Sequence, residues 1–524
     1  MAVFFILWLL PSRIQAQTTP NIKGKRVEIV NADVLKFDDK IGNGAKRLIG
    51  NVQFKHETTL MFCDSAYFFT DNSLDAFGHV HIQQPDDSTN LYGDFLHYDG
   101  NTKKAVLTRN VILDKGDMHL TTDVLNYNTS TRIANYTTPS RITNKDNILT
   151  SEQGYFFGKK NELTFKKNVV LTNPQFVINC DTMRYNTISK ITYFKGPTTI
   201  TSKQNLIYCE DGWYDTQKDI SRFSKNSYIL NKEQKMLGDS VFYDRKKGQG
   251  RAVHHVQIID TIQHITITGN IATHSEFTDI SIVTGQAVLM QMSEKDTLFL
   301  HADTLKSIGN DPKPPKDPNV KNTALSTKDS LKTKKDSAEQ RLLAYHHVKF
   351  YRKDMQGKCD SMAYNTIDST MRMYGVPTLW SEANQLTGDS IWVTIGKKSL
   401  RTMELFGTAF VVSQEDSLRY NQVRGKYMKG FFRDNDLYRV NVEGNGQTIY
   451  YVKEEEKIKS VNRADCSDLH IYLKKNQMDR ITFVTRPDAT LFPLHKVDLK
   501  EFKLKDFTWR AHLRPLSRTD IFVW

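Results

Sequence analysis

Gly93-Asp94-Phe95-Leu96-His97-Tyr98 is one copy of a six-residue word that recurs along most of the chain. Close versions are Thr122-Asp123-Val124-Leu125-Asn126-Tyr127, Cys180-Asp181-Thr182-Met183-Arg184-Tyr185, Gly238-Asp239-Ser240-Val241-Phe242-Tyr243 and Cys359-Asp360-Ser361-Met362-Ala363-Tyr364. Weaker copies begin at Ala32-Asp33, Cys63-Asp64, Glu152, Cys209-Glu210, Ala302-Asp303 and Gly388-Asp389. From Asp64 the acids fall at 94, 123, 152, 181, 210 and 239, a step of 30 and then of 29 five times. A period this regular means one supersecondary unit stacked many times, each copy packing on its neighbours.

Alternation inside the word is the mark of a strand. It sets Asp94, Leu96 and Tyr98 on one face and Gly93, Phe95 and His97 on the other, with the acid beside a small residue as a turn signal where the strand begins. About fifteen residues on comes a second strand word: Gly50-Asn51-Val52, Gly78-His79-Val80, Asn110-Val111, Asn168-Val169, Gly196-Pro197, His255-Val256, Gly269-Asn270-Ile271, His347-Val348 and Gly407-Thr408. Turn formers such as Tyr98-Asp99-Gly100-Asn101 and Tyr127-Asn128-Thr129-Ser130 separate the two. Each unit is thus two strands of about ten residues. The reading is all-β: an elongated, twisted antiparallel jellyroll, an open trough of two-strand units of about 29 residues. With strands about 4.8 Å apart, some 26 of them span on the order of 120 Å.

The 524 residues would ordinarily suggest three or four domains, but a repeat array escapes that count. Residues 1–16, with an apolar core from Val3 to Leu10 and a small residue at Ala16, read as a signal peptide, too short for a membrane helix. Residues 17–450 carry the repeat, broken at 307–340 by a Pro- and Lys-rich insertion that reads as a disordered basic loop within one unit. Residues 451–524 lose the period and end in Phe522-Val523-Trp524, a cap or docking segment for an array that must close its last edge.

The net charge of +13, +12 without the leader, fits a polyanionic partner or an anionic membrane face as well as it fits a solvated surface. Export argues against nucleic acid. Cys63, Cys180, Cys209 and Cys359 each occupy the small site before the acid, where other units carry Ala, Gly or Thr, and Cys466 does so in a degenerate copy. Same-site residues one unit apart lie about 9–10 Å apart, beyond disulfide reach, so free thiols are expected. A dozen equivalent acids, one per unit, suit structure better than catalysis. The histidine pairs His254-His255 and His346-His347 read as strand starts pointing to opposite faces, and no HExxH, CxxC or phosphate loop is present. No enzyme activity, metal or cofactor is expected.

The leader, the small-Asp-x-apolar-x-aromatic word alternating with Gly/Asn-x-Val-x-apolar, and the 29-residue step resemble the OstA-like, LptA-type proteins of lipopolysaccharide transport over roughly residues 28–450. The ending with Trp509, Arg514 and Pro515 resembles that of long OstA-like proteins from Bacteroidetes-type bacteria. The resemblance implies a periplasmic bridge, with contact to the outer membrane, whose apolar trough shelters the acyl chains of lipopolysaccharide while the sugars stay in water. Leu96, Leu125, Met183, Val241 and Met362 would line one wall, and Val52, Val80, Val111, Val169, Val256 and Val348 the other. Any one of these residues is equally at home in a dry core; the groove is a property of the row. Other transport proteins would join by edge-strand addition, with peripheral membrane contact and no nucleic acid. The alternative is an exported structural or adhesive β-solenoid, carbohydrate-binding in one form, which requires a parallel helix.

Overall fold

The structure is a computed structural model that describes residues 25–37, 44–86, 88–157, 160–202, 205–230, 234–262, 264–293, 296–309, 341–396, 399–434, 436–455, 457–474, 477–498 and 502–524. The leader and nearly all of the basic insertion lie outside these residues. Among them are 34 strands and only short 3-10 turns, and every strand pairing is antiparallel. The chain divides into two compact units, residues 1–174 with 186–188, and 175–185 with 189–524.

In the first unit the strands Lys46–His56, Thr59–Phe68, Ser73–Gln84, Thr89–Asp99, Lys104–Lys115 and Met118–Asn128 pair in chain order. At 10 to 12 residues they have the expected length. Asx-turns close the hairpins: Asp99 Oδ1 accepts the Asn101 N–H at 2.9 Å, and Asn128 Oδ1 accepts those of Ser130 and Thr131 at 3.0 and 2.8 Å.

Each strand breaks register at its middle, and this decides the architecture. The breaks coincide with residues at positive φ, usually two in succession: Gly50 and Asn51, Gly78 and His79, Arg109 and Asn110, Lys167 and Asn168. Such a bulge bends the strand sharply. The two halves then belong to two walls, the second half of one strand pairing with the first half of the next. Where the bend is complete the strand is interrupted, as between Ile133–Tyr136 and Ser140–Asn144, which flank Pro139.

The bend corrects the phase read from alternation. Gly93 is buried and Asp94 exposed, while Leu96 and Tyr98 are fully buried. The count slips by one at the corner, which turns the acid outward, where its carboxylate stays hydrated. The acid word and the Gly/Asn word are therefore mid-strand corners, not strand starts, and the same holds for the His254-His255 and His346-His347 pairs, whose residues all have positive φ. Gly269-Asn270 also changes class. Val256 pairs with Gly269, and the Cβ of Asn270 lies under Gly285, so Asn270 stands at an acid site.

The second unit repeats this plan from Phe176–Asn186 onward, with corners at Lys225 and Asn226, His254 and His255, Gly285 and Gln286, His346 and His347, and Gly375 and Val376. Ile308 pairs directly with Arg341, so the insertion departs from one hairpin. The ladder continues past 450. Asp436–Glu454 pairs with Lys457–Lys474, which carries Gln477–Val484 on one half and Asp488–Pro493 on the other, with a last corner at Thr485 and Arg486. One core joins the walls: Val348, Leu379 and Ala409 from one half-set meet Met362, Ile391 and Leu405 from the other.

Residues beyond Pro493 run back across the outer face of one wall. Val411 and Val423 face the core, so Phe410, Val412 and Gln422 face outward by alternation. Phe410, Val412, Ile449, Tyr451 and Val461 are nevertheless buried, in a second core closed by Leu504, Phe502, Phe507 and Trp509.

Candidate functional site

The corners are locked by the residues the repeat keeps. The Asn51 amide donates to Asp33 Oδ2 at 2.9 Å, Asn110 to Asp94 at 2.7 Å, Asn168 to Glu152 at 2.6 Å and Asn226 to Glu210 at 2.8 Å. Histidine replaces asparagine in the pairs His79 with Asp64, His255 with Asp239 and His347 with Asp303, at 2.7–2.9 Å. The Asp64 carboxylate beside it raises the His79 imidazole above its ordinary range. Asn is enriched at positive φ because its short polar side chain bonds locally, and glycine has no Cβ to clash. These acids are exposed, or half-buried at Glu152 and Glu210, and each serves its own corner. Among the described residues no group of three or more His, Cys, Asp or Glu could hold a metal ion.

Inside the corner lie the residues proposed as lining. Val52, Val80, Val111 and Val169 follow the first unit's corners on one wall, with Leu96 and Leu125 on the other. In the second unit Val256 and Val348 stand on one wall, Met183, Val241 and Met362 on the other. All eleven are between 0 and 6% exposed. Each valine row runs beside the small sites: Val52 pairs with Cys63, Val80 with Gly93, Val111 with Thr122 and Val348 with Cys359. A larger residue there would crowd the valine. The five cysteines are accordingly buried and free, and burial pushes the thiols of Cys63, Cys180, Cys209 and Cys359 up to about 12.

At the first unit's rim the walls touch. His56 ends one half-strand and Tyr98 lies near the end of another on the opposite wall; both are buried, and His56 Nδ1 and the Tyr98 hydroxyl are 2.6 Å apart. His56 Nε2 meets the Lys25 carbonyl at 2.8 Å, and the Val27 N–H donates to Asn72 Oδ1 at 2.9 Å, so the leading segment lies across the same mouth. Burial raises the Tyr98 phenol to about 12. A surface recess of about 720 Å³, lined by Ile112, Thr121, Arg141 and Thr150 among others, lies against the outer side of the corners, not the interior.

Sequence reasoning missed a ladder of buried glutamines under the tail. Gln422 donates to the Phe502 carbonyl at 3.2 Å and accepts the Leu504 N–H at 2.9 Å. Gln385 repeats this with the Thr508 carbonyl at 2.7 Å and the Arg510 N–H at 2.6 Å, and Gln356 accepts Arg514 Nε at 2.8 Å. The signal was present. Gln356, Gln385 and Gln422 each stand four residues before the acid position of their unit, at Asp360, Asp389 and Lys426, where earlier units carry Leu60, Asn90, His119, Ile148, Val177, Leu206 and Lys235.

Two family models match parts of the chain. Residues 24–181 match the model of the OstA-like protein family, and residues 266–399 match that of the LptA/(LptD N-terminal domain) LPS transport proteins. No curated protein matches the chain. Among solved structures, LptH of Pseudomonas aeruginosa, described as the LptA homologous periplasmic component of a lipopolysaccharide transport device, is 21% identical over 21% of this chain and 79% of its own, with a TM-score of 0.19. That score bears no weight for the fold, which rests on the strand pairing. Both family models fall on the cornered repeat, so the chain carries an OstA-like segment over residues 24–181 and a segment of the LptA/(LptD N-terminal domain) type over residues 266–399.

Proposed function

We propose that the protein acts in the periplasm as a lipopolysaccharide-binding bridge without chemistry of its own, parting its walls to shelter acyl chains. The observation that carries this reading is the pair of apolar rows flanking every corner, with the acids, amides and imidazoles of the lock turned outward. Each buried methylene of an acyl chain contributes about 0.8 kcal/mol. Several chains are therefore held without a polar site, and near-equal subsites from unit to unit let a lipid slide. In the first unit the mouth is held by the His56–Tyr98 contact, and a net hydrogen bond of this kind is worth about 1 kcal/mol, small against the burial of one chain.

Partners join at the edge. The strands Glu28–Asn31 and Val34–Phe37 both pair with Lys46–His56 and expose Val34, Leu35 and Phe37, a surface on which another strand adds by backbone pairing. The parallel-solenoid alternative is removed by the antiparallel pairing throughout.

The test is site-specific photocrosslinking in cells. A probe at Leu125 or Met183 is expected to label lipopolysaccharide, while probes at the outward Phe95 and Phe242 are not. Labelling at none of the inward positions overturns the reading.

A further inference from the structure

The outer face beneath the tail carries a row of cations that the lipid-sheltering interior does not use. Lys349 and Lys358 are direct cross-strand partners, and Lys358 is in turn paired with Thr378, whose hydroxyl accepts Arg510 Nη1 at 2.9 Å. Like charges directly opposite each other destabilise a sheet, so this arrangement calls for an anion. Within the protein the hydrogen bonds and ring contacts of these cations, and of Arg514 beside them, go to neutral groups, and Asp520 reaches Lys349 by charge alone. Lys349 donates to the Val523 carbonyl, and Lys358 Nζ lies 3.8 Å from the centre of the Trp524 ring. Arg514 donates to Gln356 and to the Glu382 carbonyl. Asp520, the acid whose charge reaches Lys349, is held by the N–H groups of Leu516 and Ser517 and the Ser517 hydroxyl. Desolvation pulls both lysines below the ordinary lysine range, helped by Lys358 at Lys349 and by Arg510 at Lys358, which a bound anion would reverse.

Apolar side chains stand out at the same place. Leu516 is 74% and Val523 67% exposed, with Phe522 and Trp524 about half exposed. Phe522 packs on His301 and Trp524 on His347, each with ring centres 4.8 Å apart, so the tip is fixed to the sheet. Anchored aromatic and aliphatic side chains beside cations that outnumber the acids near them are what the headgroup layer of an anionic membrane accepts, the rings at the interface and the charges against phosphate.

We infer that the tail tip, with the half-buried Lys358, Arg510 and Arg514 beside it and the buried Lys349 adding its charge from behind, is a docking surface for a phosphate-bearing anionic lipid membrane. The surface is independent of the interior, so it stands or falls apart from the photocrosslinking result.

Sedimentation of the full chain with vesicles tests it. Binding is expected to phosphatidylcholine vesicles containing phosphatidylglycerol and not to phosphatidylcholine alone, and to weaken as salt rises. Lys358→Gln should lower the affinity about fivefold, the worth of one cation near a charged bilayer. Leu516→Ser with Val523→Ser should lower it further, while Lys218→Gln, an exposed cation beside Asp215 elsewhere in the unit, changes it less than twofold. Amide exchange at Leu504 and Arg510 must stay slow in the Lys358 and Leu516 variants, showing that the tail is still docked. Equal binding to both vesicles, no binding to either, or unchanged affinity in the Lys358 variant overturns the inference. So does capture of inorganic phosphate without vesicle binding, which would make the cations a free-phosphate site.

Discussion

At the residue scale, the corner depends on positive φ and a short acid. Gly78 has φ +72, and a Cβ there would sit 2.3 Å from Asp64 Oδ2. Gly78→Ala therefore both strains the backbone and displaces the carboxylate from His79; a loss of about 1–3 kcal/mol is expected, read as a lower denaturation midpoint. The same pair titrates measurably. Because Asp64 raises the folded pKa of His79, the stability this pairing contributes is present below the unfolded value and is lost as pH rises through the raised one. NMR should find the His79 imidazole titrating above its ordinary 6.5, and Asp64→Asn should return it there. The cysteines give a third check. Four thiols raised to about 12 are almost wholly protonated at pH 8 and burial raises Cys466 as well, so iodoacetamide should leave the native protein unmodified and reach all five cysteines after unfolding.

At the element scale, the tail is held by side chains that imitate a strand. Gln385 is buried and supplies one donor and one acceptor to the backbone around Trp509, as an edge strand would. Gln385→Leu leaves the Thr508 carbonyl and the Arg510 N–H without these partners, at a local cost on the order of 2 kcal/mol. Faster amide exchange at Arg510 and earlier proteolytic nicking within 502–524 are the expected readouts; unchanged exchange would show that packing on Phe410 and Tyr420 alone fixes the tail. The run Ala409-Phe410-Val411-Val412 is apolar without alternation because this strand is covered on both faces. What covers the outer face was not legible, since the alternation of Phe502 with Leu504 and of Phe507 with Trp509 does not say which distant wall they meet.

At the scale of the molecule, the second unit's outer core belongs to the tail and its inner core to the repeat. Ending the chain after Pro493 should expose Phe410, Val412, Ile449, Tyr451 and Val461 and raise binding of a hydrophobic dye, while the inner core around Val348 and Met362 keeps its protection from exchange. Loss of protection in both would show that the two cores fold as one.

The 29-residue step, the strand lengths, the Asx-turns and the buried rows follow from the sequence, because period, turn chemistry and alternation are local properties of the chain. The rows at Val52 to Val348 and Leu96 to Met362 were found in this way. The placement of the acids was not. Alternation carried Asp94 onto the face of Leu96, and only the mid-strand bend, built from two residues at positive φ on the neighbouring strand, turned it out to meet Asn110. The glutamine ladder and the cation row needed the tertiary structure for the same reason. Lys349 becomes a neighbour of Lys358 through strand register, and the two meet Val523 and Trp524 through a tail that returns from more than 150 residues away. Local chemistry wrote the repeat, and long-range packing decided which of its faces water still reaches.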